Sequence, residues 1–266
     1  MGLDQSVKYL KGVGPKRAEL FEKLGVFTVR DLVYHFPRSY IDLSKTVMIS
    51  DTALDEMNAV RVRVVKKRPA DIIRKNMRIY RVVCTDGVSD MNVIIYNSVY
   101  LYNRLREGED YILYGKVTGN LTSREISSPM VLSANAPDRI IPVYPLTAGL
   151  SAGVLRGCVK NALAFLDGES CEALPAAMIK ELGFMPCDEA LRQVHFPQSM
   201  GKMQSARKRL AFDELLDLQL GMLSLRRRNR SLTAYALKSK PLSGYYGALP
   251  FELTGAQKQA IAECVR

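Results

Sequence analysis

The residues of this sequence best suited to chemistry are its cations. Lys66, Lys67 and Arg68 form one cluster, closely followed by Arg74, Lys75, Arg78 and Arg81. A second cluster lies at Lys202, Arg207, Lys208 and Arg209, and a third at Arg226, Arg227, Arg228 and Arg230. Each ammonium or guanidinium can neutralise a phosphate, and clustering builds a local potential that a uniform sprinkling would not. The whole chain agrees with this. Its 38 Lys and Arg face 27 Asp and Glu, a net charge of +11 over 266 residues, and nucleic acid is the commonest partner of so basic a chain. A second candidate anion contact is Gly12-Val13-Gly14-Pro15. Two glycines let the backbone approach a phosphate, and Pro15 opens a helix whose first N–H groups point outward. The same residues equally suit a tight connection between helices. For Arg226 to Arg230 the plain alternative is a solvated helix end matched to the helix dipole.

Other chemistries are poorly supplied. The phosphate loop GxxxxGK[ST] occurs nowhere, since Gly115-Lys116 and Gly201-Lys202 lack both the upstream glycine and the following Ser or Thr. Five cysteines (Cys84, Cys158, Cys171, Cys187 and Cys264) are scattered without a CxxC pair and read as reduced thiols, not a disulfide frame or zinc site. His35 and His195 are the only histidines and read as packed or surface residues. Asp213-Glu214 reads as a solvated pair on a helix.

The elements that must position these residues fall into four segments of an α+β chain. Residues 1–45 are predicted helical and helix-hairpin-helix-like, with Ala18, Phe21 and Leu24 at helical spacing, a cap at Thr28, and an apolar face of Val29, Leu32 and Val33. Residues 57–145 read as strands. Val60, Val62 and Val64 alternate with Arg61 and Arg63, which places valines inward and arginines outward. MRIYRVVCTDG and MNVIIYN follow, then a short helix in SVYLYNRLREG, then DYILYGKVTGN and REISSPMVLS. Three strands, a helix and two strands is the order of an OB-fold, a five-stranded barrel that often binds single strands. Residues 146–248 are predicted mostly helical, with segments at Leu155–Leu166 and Leu174–Leu182 and a long amphipathic helix over about Ser205–Arg230. In residues 249–266, Thr254 and Gln257 have the spacing of a capping box. The chain stops inside the helix they open, which sets the expectation of a longer parent protein.

Hydrophobic residues make up 47% and charged residues 24%, the balance of a soluble globular chain. No apolar run approaches the roughly 18 residues that span a bilayer, and no signal peptide is visible at MGLDQSVKYL. A cytoplasmic location without membrane contact is expected.

Taken together, LKGVGPKRAELFEKLGVFTVRDLVYHFPRSYID, the barrel stretches IIYNSVYL and GEDYILYGKV, ARKRLAFDELLDLQLGMLSLRRR and PFELTGAQKQAI resemble the N-terminal part of the RecG family of bacterial ATP-dependent DNA helicases. The resemblance implies that 57–145 is the wedge, 146–248 the helical connection, and 249–266 the start of a RecA-like motor domain truncated before its phosphate loop. It implies a stacking role on branch-point bases for Tyr96 and Tyr100, in a pattern of aromatic, Asn97, two residues and Tyr. Many relatives carry Phe where this chain has Tyr96. It implies that Phe251, Thr254 and Gln257 belong to an adenine-recognition element, with the Gln amide reading the base edge. In isolation, a plain capping box fits Thr254 and Gln257 equally well. ATP and Mg2+ are then implied for the parent, with neither held by this fragment, which carries no catalytic residue and no metal site.

The DNA-contact candidates are thus Tyr96, Asn97, Tyr100, Arg61, Arg63, Lys66, Lys67, Gly12 and Gly14. The expected function is recognition of branched DNA, a stalled fork or Holliday junction, in recombination and repair. The expected state is a monomer, with single-stranded DNA-binding protein as a further candidate partner. The alternatives are a stand-alone OB-fold that binds single-stranded or structured nucleic acid, and an OB-fold that binds proteins.

Overall fold

A computed structural model describes residues 2–74, 77–120, 123–168, 171–230 and 243–265. Lys75 of the first basic cluster and residues 231–242 of the helical connection lie outside them. The chain divides into two compact units, Met1–Asp213 and Glu214–Arg266.

In the first unit, Gly14 and Pro15 open α1 (Pro15–Glu22) as expected from a proline in the first turn. Thr28 caps α2 (Val29–Val33): its hydroxyl accepts from the Asp31 N–H at 3.1 Å, and the Asp31 carboxylate accepts from the Thr28 N–H at 2.9 Å. Val29, Leu32 and Val33 are fully buried. The chain then enters β1 (Ser39–Asp42), a strand within the 1–45 segment predicted helical, formed because Ile140–Val143 pairs with it.

The barrel follows. Its strands are β2 (Met57–Lys67), β3 (Asp71–Arg74), β4 (Met77–Thr85), β5 (Asp90–Tyr96), then, after α3 (Val99–Arg104), β6 (Asp110–Gly119), β7 (Arg124–Ser127) and β8 (Met130–Ser133). The pairs β2–β4, β4–β5, β5–β7, β7–β6 and β6–β2 close five strands on themselves, and β5–β7 is the parallel pair. This is the OB order that the sequence predicts, with the helix between the third and fourth barrel strands. Val60, Val62 and Val64 are at most 2% exposed and line the core with Val82, Val93, Ile95 and Leu113.

Two details differ from the sequence reading. REISSPMVLS is two strands, because Ser128 takes a positive φ of 43° and Pro129 follows it, so the run bends from β5 and β6 contact to β6 alone. The added β3 is a short edge strand on β4. Gly119 shows why one turn needs glycine: with φ +112°, a Cβ there would lie 2.0 Å from the Ser123 carbonyl oxygen.

Past the barrel, β9 (Ile140–Val143) pairs antiparallel with β1 and returns the chain to its beginning. There α4 (Ala152–Leu163), α5 (Ala176–Leu182), α6 (Cys187–His195) and the start of α7 (Met200–Arg230) follow. Leu3, Phe21, Leu32 and Val33 share one core with Leu155, Val159, Leu191, Val194 and Leu210. Two helical stretches that the barrel separates in sequence are therefore one packed body. The fully buried His195 is tied into it, with Nε2 2.7 Å from the Val33 carbonyl oxygen and Nδ1 3.0 Å from the Tyr144 hydroxyl.

Arg209 corrects the reading of the second basic cluster. It is fully buried, bridges Glu172 at 2.5 Å and Asp213 at 3.0 Å, and also donates to the Met185 carbonyl at 3.0 Å. It contributes no surface potential, and Asp213 is an ion-pair partner, not a solvated carboxylate. The countercharge lies 37 residues away in sequence, where local spacing cannot reveal it.

In the second unit α7 continues to Arg230, with Leu215, Leu218, Met222 and Leu225 exposed. It is followed by α8 (Ser243–Gly247) and α9 (Gly255–Val265). No helix among the described residues is long and apolar enough to cross a membrane.

Candidate nucleic-acid interface

Alternation along β4 and β5 decides which side chains leave the barrel. Tyr80, Val82 and Cys84 on β4, and Met91, Val93 and Ile95 on β5, point into the core. Their neighbours face outward in register: Ile79 opposite Tyr96, Arg81 opposite Ile94, and Val83 opposite Asn92. Tyr96 ends this face and is 42% exposed.

Asn97 closes the ladder. Its N–H donates to the Arg78 carbonyl at 2.9 Å and its Oδ1 accepts from the Arg78 N–H at 2.8 Å. Its φ of +52° is left-handed, a region that asparagine tolerates better than most side chains. That turn, with Ser98 accepting from the Leu101 N–H at 3.2 Å, starts α3. Tyr100 then stands on α3 with 76% of its surface exposed. The spacing of aromatic, Asn, two residues and Tyr thus becomes two exposed rings on either side of one hydrogen-bonded turn. Tyr102, by contrast, faces inward, stacked on Tyr80 with centroids 4.6 Å apart.

The first basic cluster does several different things. Lys66 is exposed. Lys67 is turned onto α3: Nζ donates to the carbonyls of Tyr102 and Leu105 at 2.7 and 2.8 Å and lies 4.0 Å from the Tyr102 ring centroid. Its partial burial lowers the ammonium pKa below the ordinary lysine value. Arg68 and Arg78 are exposed and form no ion pair among the described residues. Arg81 is bridged to Asp71.

Arg61 and Arg63 occupy another region. Both pair with Asp110, at 3.3 and 2.7 Å, and the hydrogen bond from Arg63 leads the effects that hold the Asp110 carboxyl below its usual pKa. They line a cavity of about 400 Å³ with Met48, Thr85, Asp86 and Gly87. Arg63 is opposite Thr85, whereas Tyr96 is opposite Ile79. Six strand residues separate these rows, roughly 20 Å. The sequence names both sets, and the structure places them at opposite ends of β4.

Gly12 and Gly14 are exposed in a loop that is held against α4. Asn161 Nδ2 donates to the Lys11 carbonyl at 2.8 Å, and Arg17 donates to the Gly12 carbonyl at 2.6 Å. Gly12 has φ +95°, so the glycine is required by the turn itself. In the second unit, Gln257 Oε1 accepts from the Thr254 N–H at 2.9 Å, and Thr254 Oγ1 accepts from the Gln257 N–H at 3.4 Å. This is a reciprocal capping box on α9. Phe251 is 56% exposed. Among the described residues, no group of three or more His, Cys, Asp or Glu could hold a metal ion.

Sequence reasoning did not single out Ile72, Ile73 or Arg78 as site residues. Arg78 was visible as the tail of the first basic cluster. The exposed isoleucines carry no such signal, because isoleucine in a strand reads as core.

Residues 6–166, which include the barrel and α3, match the family model described as the RecG wedge domain. The chain belongs to the RecG wedge-domain family. The matched span is wider than the barrel and takes in α1, α2 and α4. The ATP-dependent DNA helicase RecG of Thermotoga maritima is 30% identical over 269 residues, covering 98% of this chain and 34% of that protein. The RecG of Streptococcus pneumoniae is 28% identical, covering 99% of this chain and 39% of that protein. A solved structure of RecG bound to a three-way DNA junction superposes with a TM-score of 0.83 at 30% identity, covering 99% of this chain and 37% of that one. The chain therefore spans less than two fifths of the length of these RecG relatives.

Proposed function

We propose that this chain is the branched-DNA recognition part of an ATP-dependent helicase of the RecG kind, acting in the cytoplasm in fork rescue and recombination. The observation that carries the proposal is the pair of exposed rings, Tyr96 and Tyr100, flanking the Asn97 turn that exposed Arg78 holds, with no ion pair to Arg78 among the described residues. A closed duplex offers phosphates but no base face. A branch point offers both, so cations and rings together favour it over linear DNA. Tyr96 and Tyr100 stack on opened bases. Lys66, Arg61 and Arg63 meet phosphates, with the Gly12–Gly14 loop as a further backbone contact. Asn97 and Lys67 act by holding the turn and α3.

The residues present do not make an ATP site by themselves. No phosphate loop exists in the sequence, and Gln257 Oε1 is engaged by the Thr254 N–H. We place ATP and Mg2+ binding in the longer protein, where Phe251, Thr254 and Gln257 would border the adenine. Binding as a monomer, and contact with single-stranded DNA-binding protein, belong to the same reading.

Fluorescence anisotropy on a fork and a length-matched linear duplex tests it. Wild-type chain should prefer the fork, and Tyr96→Ala with Tyr100→Ala should lose about tenfold on the fork, the scale of a stacking contact, with little change on the duplex. Equal affinity of the wild-type chain for both substrates would overturn the proposal.

A further inference from the structure

Neither the barrel core nor the tyrosine face accounts for Ile72 and Ile73. Both lie on the edge strand β3 and are 71% and 54% exposed. In a regular strand consecutive side chains point to opposite faces, so one of the two would be directed toward the barrel side. The register against β4 shifts between Ile72 and Arg74, which leaves Ile73 without a partner across the ladder, and both isoleucines emerge into solvent.

Their surroundings are specific. Ile72 is opposite Arg78, the residue whose backbone holds Asn97 between the two tyrosines. Asp71 is opposite Ile79, and Ile79 is opposite Tyr96. β4 therefore lies between β3 and Tyr96, with Asp71 in the row of Ile79 and Tyr96 and Ile72 in the row of Arg78. Exposed Arg78 is opposite Ile72, and exposed Arg68 precedes β3 in the chain, both without an ion pair among the described residues, while the carboxylate of Asp71 is bridged by Arg81.

We infer that Ile72 and Ile73 form a second, apolar contact that enters the base stack where a duplex branches. The inference rests on the function proposed above and adds a contact that the tyrosines do not supply. Apolar side chains inserted at a base step unstack it. A branch-point step already lacks one stacked neighbour, so entry there costs least. The occupant is nucleic acid because exposed Arg78, without an ion pair among the described residues, stands directly opposite Ile72, and β3 pairs with β4, the strand whose Ile79 lies opposite Tyr96.

The test uses the whole chain and a three-armed fork carrying 2-aminopurine either at the branch-point step or within one arm. Wild type should raise emission at the branch and leave the arm probe unchanged. Ile72→Ser with Ile73→Ser should abolish that rise and weaken fork binding by about tenfold, the scale of one lost base contact, with thermal unfolding and the salt slope unchanged because the cations remain. Ile72→Val with Ile73→Leu should restore both signals. A serine variant with wild-type emission and affinity overturns the inference. Equal loss on linear duplex also overturns it. If the wild-type chain shows no fork preference, the proposed function falls and this inference with it. If wild type prefers the fork and the serine variant is unaffected, this inference alone falls.

Discussion

The ammonium of Lys67 donates to the carbonyls of Tyr102 and Leu105 and rests 4.0 Å from the centre of the Tyr102 ring. A cation in a basic cluster is thereby the C-terminal clamp of α3, the helix that presents Tyr100. Replacing it tests position against charge. Lys67→Met should lower stability by about 1–2 kcal/mol through lost carbonyl hydrogen bonds. It should also reduce fork preference while leaving the salt dependence of duplex binding unchanged. A flattened slope would show instead that Lys67 touches phosphate.

Arg63 gives the opposite expectation. It is paired with Asp110 yet more than half exposed. Arg63→Ala should weaken fork and linear duplex alike and flatten the logarithmic salt slope by about 0.9, one phosphate contact. Asp110→Asn, which releases both Arg61 and Arg63, should steepen it. Anisotropy titrations at two salt concentrations read both, and an unchanged slope in Arg63→Ala removes this residue from the interface.

Glu172 neutralises the fully buried Arg209 and also accepts from the N–H groups of Leu174 and Cys187, at 2.9 and 3.0 Å. Glu172→Ala leaves the guanidinium with the Asp213 carboxylate and the Met185 carbonyl and should cost about 3 kcal/mol, measured by urea unfolding. A loss below half that figure would show that Asp213 suffices.

His195 sets a pH dependence. Burial pushes its pKa down from 6.5 to about 4. Between these values the unfolded chain binds the proton and the folded chain does not, so stability falls as pH drops. The contribution is fully present above about pH 6.5, and about 3 kcal/mol is lost by pH 4. Urea unfolding at pH 4.5, 5.5, 6.5 and 7.5 should show this slope. His195→Leu should be less stable at pH 7.5, because the Val33 carbonyl and Tyr144 hydroxyl lose their partner, and flatter below pH 6.5. An equally steep profile in the leucine variant would assign the dependence to carboxylates.

What the sequence determined by itself is local. The period-two valines at 60, 62 and 64, the Thr28 cap, the Thr254–Gln257 box and the strand–helix order of the barrel all depend on neighbours within a few residues, and each is present. Tyr96, Asn97 and Tyr100 were singled out by the resemblance to the RecG family, and one local turn leaves both rings exposed. Tertiary structure alone decided the rest. Lys66, Lys67 and Arg68 are adjacent and alike in sequence, yet Lys66 and Arg68 are exposed while Lys67 clamps α3. Arg209 reads as surface charge until Glu172 closes on it from 37 residues away. Residues 1–45 read as a separate helical segment until β1 and β9 pair and bring α1 and α2 into one core with α4 and α6. In each case the deciding partner is distant in the chain. A side chain's charge or apolarity fixes what it can do, and only the fold brings the partner that determines what it does.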